Sequence, residues 1–247
     1  MADQTDPQEP TTIQPRVSIV IPIYNEEAIL HAAVVDLLDR MAELDWPYEL
    51  ILAENGSSDR TVEIAQELAD RFPQVRFFSL GQPNYGAALK RGILEATGEF
   101  VLCDEIDLCD TDFYERAMAL LETNAAELVI GSKLASGASD ERPLMRHVGT
   151  VAINTMLRVT LGFKGTDTHG LKAFRRATLV EVARSCLVEK DLFASEFVIR
   201  AERTGIRIRE IPVRVLEKRP PSIHLFQRVP RVLKDLSRLF VAIRIKG

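Results

Sequence analysis

Apolar positions recur along this chain in two alternating rhythms. Short β-branched runs a few residues long are followed by stretches in which apolar residues return every three or four positions. The first run, Val17–Ile23, reads as a buried strand and stops at Tyr24-Asn25-Glu26. Ile29, Leu30, Ala33, Val34, Leu37, Leu38 and Met41 then keep helical spacing, with Asn25 as the expected cap. Tyr48–Ala53 predicts a second strand. It ends in the polar turn Glu54-Asn55-Gly56-Ser57-Ser58-Asp59, where Ser57 or Ser58 is expected to cap the next helix. The same alternation predicts strands over Val75–Leu80, Phe100–Cys103 and Glu127–Ile130. Helices are predicted over Tyr85–Ala96, closed by Gly98, and over Phe113–Asn124. After Gly131 come a polar loop (Ser136–Arg146), a helix (Val148–Leu161) and a Gly-rich segment (Gly162–Gly170). A helix over Leu192–Arg203 and a strand over Ile206–Val215 follow. Strands that alternate with helices predict an α/β fold with a central, mostly parallel, doubly wound sheet.

Composition narrows the class. The chain has 247 residues, 46% hydrophobic and 27% charged, which excludes a disordered polymer and suits one large domain. Residues 1–15 are polar and carry no apolar run, so they read as a disordered tail and not a secretory signal. No stretch approaches the roughly 18 apolar residues of a membrane-spanning helix. Three cysteines in no metal-binding spacing suit reduced thiols and a cytoplasmic location. Charge is uneven: residues 200–247 hold 13 Lys and Arg against four acids, while the net charge of the chain is −5. That balance points to an anionic partner at one end and argues against nucleic acid as the partner of the whole.

In a sheet of this kind ligands bind beyond the carboxyl ends of the strands, where this sequence places its polar clusters. Glu105 and Asp107, two apart after a strand, point to one side of an extended segment and suit a shared hard cation, with a solvated acidic loop as the plain alternative. Lys133, Lys218 and Arg219 follow predicted strands and suit a diphosphate, or are surface charges. Asn84-Tyr85-Gly86 opens a helix, which favours either an anion or close packing. Asp167, in Thr166-Asp167-Thr168-His169-Gly170, either orients an acceptor or forms a local Asx-turn. His169 reads as a local hydrogen-bonding residue, with a general base as the alternative.

From Ile223 to Ile245, Leu225, Phe226, Val229, Val232, Leu233, Leu236, Leu239, Phe240 and Ile243 alternate with Arg228, Arg231, Lys234, Arg238 and Arg244. On a helix these make one apolar and one basic face. Residues 226–247 are therefore expected to lie on an anionic membrane surface, in a protein peripheral to the inner face of the cell membrane. The alternative is docking on the protein's own core or on a second copy in a homodimer.

Taken together, Val17–Glu27 (VSIVIPIYNEE), Glu54–Thr61 (ENGSSDRT), Glu105–Asp107, Gly131-Ser132-Lys133, Asp167–Arg176 (DTHGLKAFRR) and the Glu196–Pro212 run resemble a family-2 glycosyltransferase of the GT-A fold. The similarity is to the dolichol-phosphate mannosyltransferase-like branch. The resemblance implies a GT-A domain over residues 16–222 and the basic amphipathic helix over 223–247. It implies an inverting, metal-dependent transfer of a sugar from a nucleotide-diphospho-sugar, of GDP-mannose or UDP-glucose type, to a polyprenyl phosphate or other acceptor. Glu105 and Asp107 would hold Mg²⁺ or Mn²⁺. Pro22, Tyr24, Glu26 and Glu54 would contact the nucleoside, with Asn25, Ser57, Asp104 and Lys218 in the donor-binding set. Lys133 and Arg219 would neutralise the leaving diphosphate, and Asp167 would serve the acceptor. Glu54 and Asn55 replace two aspartates of the family pattern, Glu105 replaces the first aspartate of the DxD motif, and Cys109 stands where a glutamine often assists the metal. Those departures also suit a degenerate or non-catalytic nucleotide-sugar-binding protein. A sugar-phosphate nucleotidyltransferase is the other alternative, though IPIYNEE lacks its glycine-rich triphosphate loop.

Overall fold

The computed structural model of the chain describes residues 14–140, 144–215 and 225–245. The elements run β1 (Val17–Ile23), α1 (Leu30–Leu44), β2 (Tyr48–Glu54), α2 (Thr61–Arg71), β3 (Val75–Ser79), α3 (Tyr85–Glu95), β4 (Phe100–Cys103) and α4 (Thr111–Glu122). They continue with β5 (Leu128–Ser132), β6 (Ser139–Asp140), α5 (Leu144–Leu161), β7 (Leu171–Arg175), α6 (Arg176–Ser185) and a 3-10 turn (Lys190–Leu192). The last are α7 (Phe193–Arg203), β8 (Ile208–Pro212), β9 (Arg214–Val215) and α8 (Leu225–Arg244). Seven strands form one sheet in the order β3-β2-β1-β4-β7-β5-β8, and β6 pairs with β9 in a second, two-stranded sheet. All pairings in the large sheet are parallel except those of β7, which runs antiparallel between β4 and β5.

Alternate residues of each strand feed two cores. Val20, Val101, Ile130 and Phe174 face the layer of α3, α5, α6, α7 and α8, while Ile19, Ile21, Leu102 and Val129 face α1, α2 and α4. Both faces are covered, which explains why the strands read as continuous apolar runs.

Several local expectations change. Residues 171–175, to which the sequence reading assigns no element, are β7, and α6 follows it directly. Asn25 does not cap α1: it lies at φ +54°, and its side chain instead accepts from the Ser58 amide. Nor do Ser57 and Ser58 cap α2, because Asp59 accepts from both the amide and the hydroxyl of Thr61. Gly98 is not a left-handed terminator of α3. A Cβ there would sit 2.8 Å from the Ser18 nitrogen, so the residue is small to let the α3–β4 turn press against β1.

That turn is tied down by Glu49 of β2. Its Oε1 accepts from the Ser18 hydroxyl at 2.5 Å, the Thr97 amide at 2.7 Å and the Thr97 hydroxyl at 2.8 Å, and its Oε2 accepts from Arg76 at 2.7 Å. Burial alone would raise this carboxyl, but the Arg76, Ser18 and Thr97 donors together hold it below its ordinary 4.5.

The apolar side of α8 also differs from expectation. Leu236, Leu239, Ala242 and Ile243 are buried in the first core. Arg200 and Arg203 of α7 donate to the carbonyls of Ala242 and Ile243 at its end. For the residues described, this face belongs to the protein's own core and not to a membrane. Its outer side carries Lys234, Arg238, Phe240, Val241 and Arg244. Among the described residues no helix is long and apolar enough to cross a membrane. The expected tail, apart from residues 14 and 15, lies outside the described residues.

Glu49→Ala is expected to cost about 3 kcal/mol in urea unfolding at neutral pH, because four donors lose their acceptor. Glu49→Gln should close its gap to the wild type under acid. The depressed pKa contributes stability that is full above 4.5 and is lost as pH falls through the folded value below it.

Candidate active site

The carboxyl ends of β1, β2, β4, β5 and β8 share one edge of the sheet, and the antiparallel β7 begins at that edge. Tyr24-Asn25-Glu26, Glu54-Asn55, Asp104–Asp107, Lys133 and the Asp167–Gly170 approach to β7 are thereby brought together. Gly170 marks the closeness of this packing, since a Cβ there would lie 1.8 Å from the Gly131 carbonyl oxygen of β5.

Two turns at this edge are latched together. The Asn25 amide donates to Ser57 Oγ at 2.9 Å, Asn25 Oδ1 accepts from the Ser58 amide at 2.8 Å, and the Glu26 amide donates to Thr61 Oγ1 at 2.7 Å. Tyr24 is exposed, Glu26 is partly exposed and Pro22 is buried inside β1. Glu54 differs from the expected nucleoside contact: it is fully buried, and its oxygens accept from the Ser57 amide and the Ser79 hydroxyl. Asn55 bridges the Ile23 carbonyl and the Asn84 amide. Asn84 caps α3 through the Ala87 amide, and also accepts from the Lys190 amide and donates to Glu189. The start of α3 is therefore occupied by packing against residues 189–190, the plainer of the two readings of Asn84-Tyr85-Gly86.

The loop after β4 is organised by Asp104. Its Oδ1 accepts from the Glu105 amide at 2.6 Å, and its Oδ2 from the Asp110 amide at 2.9 Å and the Tyr114 hydroxyl at 2.5 Å. Burial nevertheless pushes its pKa up to about 7 against the pull of these donors. Asp104, expected in the donor-binding set, is thus turned inward and shapes the loop. Residues 106–108 form a turn and not an extended segment, yet Glu105 and Asp107 both remain partly exposed. Cys109 lies inward at φ +45°, its thiol donating to the Ile106 carbonyl at 3.5 Å.

Glu105 is where the elements meet. Burial raises its pKa, Lys133 lowers it, Asp107 raises it, Lys172 lowers it and Asp167 raises it. Residues from the loops after β4 and β5, from β7 and from the loop before β7 therefore share one electrostatic neighbourhood. Lys172 is the member that sequence reasoning missed. It is buried on β7 with its Nζ donating to the Gly170 carbonyl at 2.7 Å, and burial lowers its pKa while Cys103, Asp167 and Glu105 raise it. The available signal was a lone lysine inside the apolar run Leu171–Phe174. Burial also pushes the Cys103 thiol up to about 12. Asp167 is fully buried and forms the Asx-turn, its Oδ1 accepting from the His169 amide at 2.8 Å. Among the described residues its Oδ2 has no hydrogen-bond partner. His169 bonds to Thr168, which bonds to Ser195. Lys218 and Arg219 lie outside the described residues.

Among the described residues no cluster of three His, Cys, Asp or Glu could hold a metal ion by itself. Glu105 and Asp107 supply two hard carboxylates without sulfur or imidazole. That donor set would suit Mg²⁺ or Mn²⁺, hard cations that keep positions open for further oxygen ligands. The cleft lined by Tyr85, Glu105, His169 and Lys172 encloses only about 10 Å³.

A seven-stranded mixed sheet of this order, with acids and lysines gathered at one edge, matches the GT-A fold. The chain belongs to glycosyl transferase family 2, whose model matches residues 18–182. It is 28% identical over 240 residues to a dolichyl-phosphate beta-glucosyltransferase of Dictyostelium discoideum, covering 90% of this chain and 73% of that protein. It is 32% identical over 164 residues to the undecaprenyl-phosphate 4-deoxy-4-formamido-L-arabinose transferase of Pectobacterium carotovorum, covering 65% of this chain and 49% of that protein. In fold it is similar to glucosyl-3-phosphoglycerate synthase from Mycobacterium tuberculosis in complex with Mn²⁺, UDP and glucosyl-3-phosphoglycerate. That likeness has a TM-score of 0.63 at 22% identity, over 91% of this chain and 80% of that one.

Tyr114→Phe keeps the ring in the core and removes one donor from Asp104. It is expected to lower stability by about 1–2 kcal/mol in denaturant unfolding. Asp104→Ala, which leaves two loop amides and the Tyr114 hydroxyl without their acceptor, should cost more.

Proposed function

We propose that this glycosyltransferase moves a sugar from a nucleotide-diphospho-sugar to a polyprenyl phosphate, with inversion at the anomeric carbon. The observation that carries the reading is the topology that gathers Glu105, Asp107, Lys133 and Asp167 at the edge where β4 and β5 end and β7 begins. It is supported by the dolichyl-phosphate and undecaprenyl-phosphate relatives. Glu105 and Asp107 hold Mg²⁺ or Mn²⁺, which supplies positive charge to the donor diphosphate. Lys133 adds a fixed cation beside them, with Lys218 or Arg219 as the further basic contributor, so that the departing diphosphate is neutralised as its charge develops. Tyr24 and Glu26 present open surface to the nucleoside, and Pro22, Asn25, Glu54 and Ser57 set the shape of the two turns beneath it.

A phosphate acceptor is already ionised near neutral pH and requires no general base. Asp167, whose buried Oδ2 has no hydrogen-bond partner among the described residues, then orients a basic residue or other cation that faces the acceptor. A hydroxyl acceptor would need a base, and Asp167 is better placed for that than Asp104, whose oxygens are occupied by the loop.

The outer side of α8 offers Lys234 and Arg238 beside exposed Phe240 and Val241, a combination suited to an anionic lipid surface. The protein on this reading is peripheral to the membrane that carries its acceptor.

Asp107→Ala is expected to lower turnover at least about a thousandfold in assays with Mn²⁺ and UDP- or GDP-sugars, with the thermal midpoint moved by no more than about 2 °C. Near-normal turnover would remove the metal assignment. Calorimetry with the same donors separates this from a binding protein, for which metal-dependent association without transfer to any lipid phosphate is the signature. Lys234→Gln and Arg238→Gln should each weaken sedimentation with phosphatidylserine vesicles about fivefold at low salt. Unchanged sedimentation would reject the membrane surface.

A further inference from the structure

One partly buried network lies outside the roles assigned so far. Glu210 of β8 directs both carboxylate oxygens at the loop before β7, where the Asp167 amide also donates to its Oε1 at 3.5 Å. Its Oε1 accepts from the Thr166 amide at 2.7 Å and its Oε2 from the Thr166 hydroxyl at 2.6 Å. Thr166 Oγ1 lies 2.6 Å from Ser132 Oγ at the end of β5, and Ser132 Oγ accepts from the Leu134 amide at 3.1 Å. Asn154 of α5 completes the hold by donating to the Thr166 carbonyl at 2.9 Å.

The direction of this chain follows from chemistry. A carboxylate accepts and does not donate, so the Thr166 hydroxyl must give its hydrogen to Glu210. The lone pairs of that hydroxyl are then open to Ser132, whose hydroxyl donates, leaving the Ser132 lone pairs for the Leu134 amide. A single acid at one end thus orients two hydroxyls. The two proposed working groups hang from the chain. Asp167 follows Thr166 directly, and Lys133 sits inside the ring closed between Ser132 and Leu134.

We propose that Glu210 is a positioning residue that fixes Lys133 and Asp167 relative to each other through the Ser132–Thr166 hydroxyl chain. The inference rests on the roles given to Lys133 and Asp167 above. Glu210→Gln keeps the shape of the side chain, but one of its two acceptors becomes a donor. Thr166 presents both an N–H and an O–H, so one of them loses its partner or the hydroxyl chain reverses.

The test is calorimetry of the full chain with Mn²⁺ and whichever of UDP and GDP the wild type binds, beside turnover on a lipid phosphate. Glu210→Gln is expected to weaken diphosphate binding about tenfold with little change in thermal midpoint. In Glu210→Gln/Lys133→Ala the loss should not exceed that of Lys133→Ala alone by more than about twofold. Thr166→Val should reproduce the loss and Thr166→Ser should restore binding, which keeps the idea testable even if the Glu210 variant folds poorly. Wild-type binding in Glu210→Gln and Thr166→Val, or losses that multiply with Lys133→Ala, would overturn it. A wild type that binds neither diphosphate with Mn²⁺ would instead overturn the family-based reading of the site.

Discussion

The reversed direction of β7 is the constraint from which the site follows. A strand running with its neighbours would deliver its entry loop to the amino edge of the sheet. Running against them, β7 delivers Asp167, His169 and Gly170 to the edge where β4 and β5 end. It also carries Lys172 into the interior beside Glu105 and Asp167, where a lysine is tolerable because acids and the Gly170 carbonyl surround it. The price of burying that cation is met by the same acids that give the site its charge.

Around this arrangement the protein uses carboxylates for two purposes. Glu49, Glu54, Asp104, Glu196 and Glu210 face inward and accept from backbone amides and hydroxyls, so each fixes a turn. Glu105 and Asp107 remain partly open to solvent. On the proposed reading the inward group would make the open pair usable, because a metal ligand on an unconstrained loop loses affinity to conformational entropy. Glu196 shows the same economy elsewhere, holding the amides of Leu187 and Val188 and the Arg200 guanidinium that reaches the end of α8.

What could be read from the sequence was whatever depends on burial pattern. β1, β2 and β4 are apolar on both faces and end in polar turns, so their positions and the edge carrying the acids follow from the residues alone. β7 did not, because Lys172 interrupts its apolar run and only its three-dimensional partners make that burial acceptable. α6 was hidden for a related reason: it begins at the last residue of a strand, behind Arg175, with no side-chain cap to announce it. Caps were misjudged where two turns exchange hydrogen bonds. Asn25 and Ser57 are sound capping residues by type, but each is spent on the other's turn. Asp104 likewise looked like part of a ligand set, and only the location of Tyr114 one helical turn into α4 shows where its oxygens point.

The seating of α8 has a mechanical meaning. Because Leu236, Leu239 and Ile243 lie in the same core as the sheet, the helix behaves as a keel and not as a tether. Any surface that grips its outer flank would therefore set the attitude of the whole molecule, and with it the height and tilt at which the strand ends face that surface.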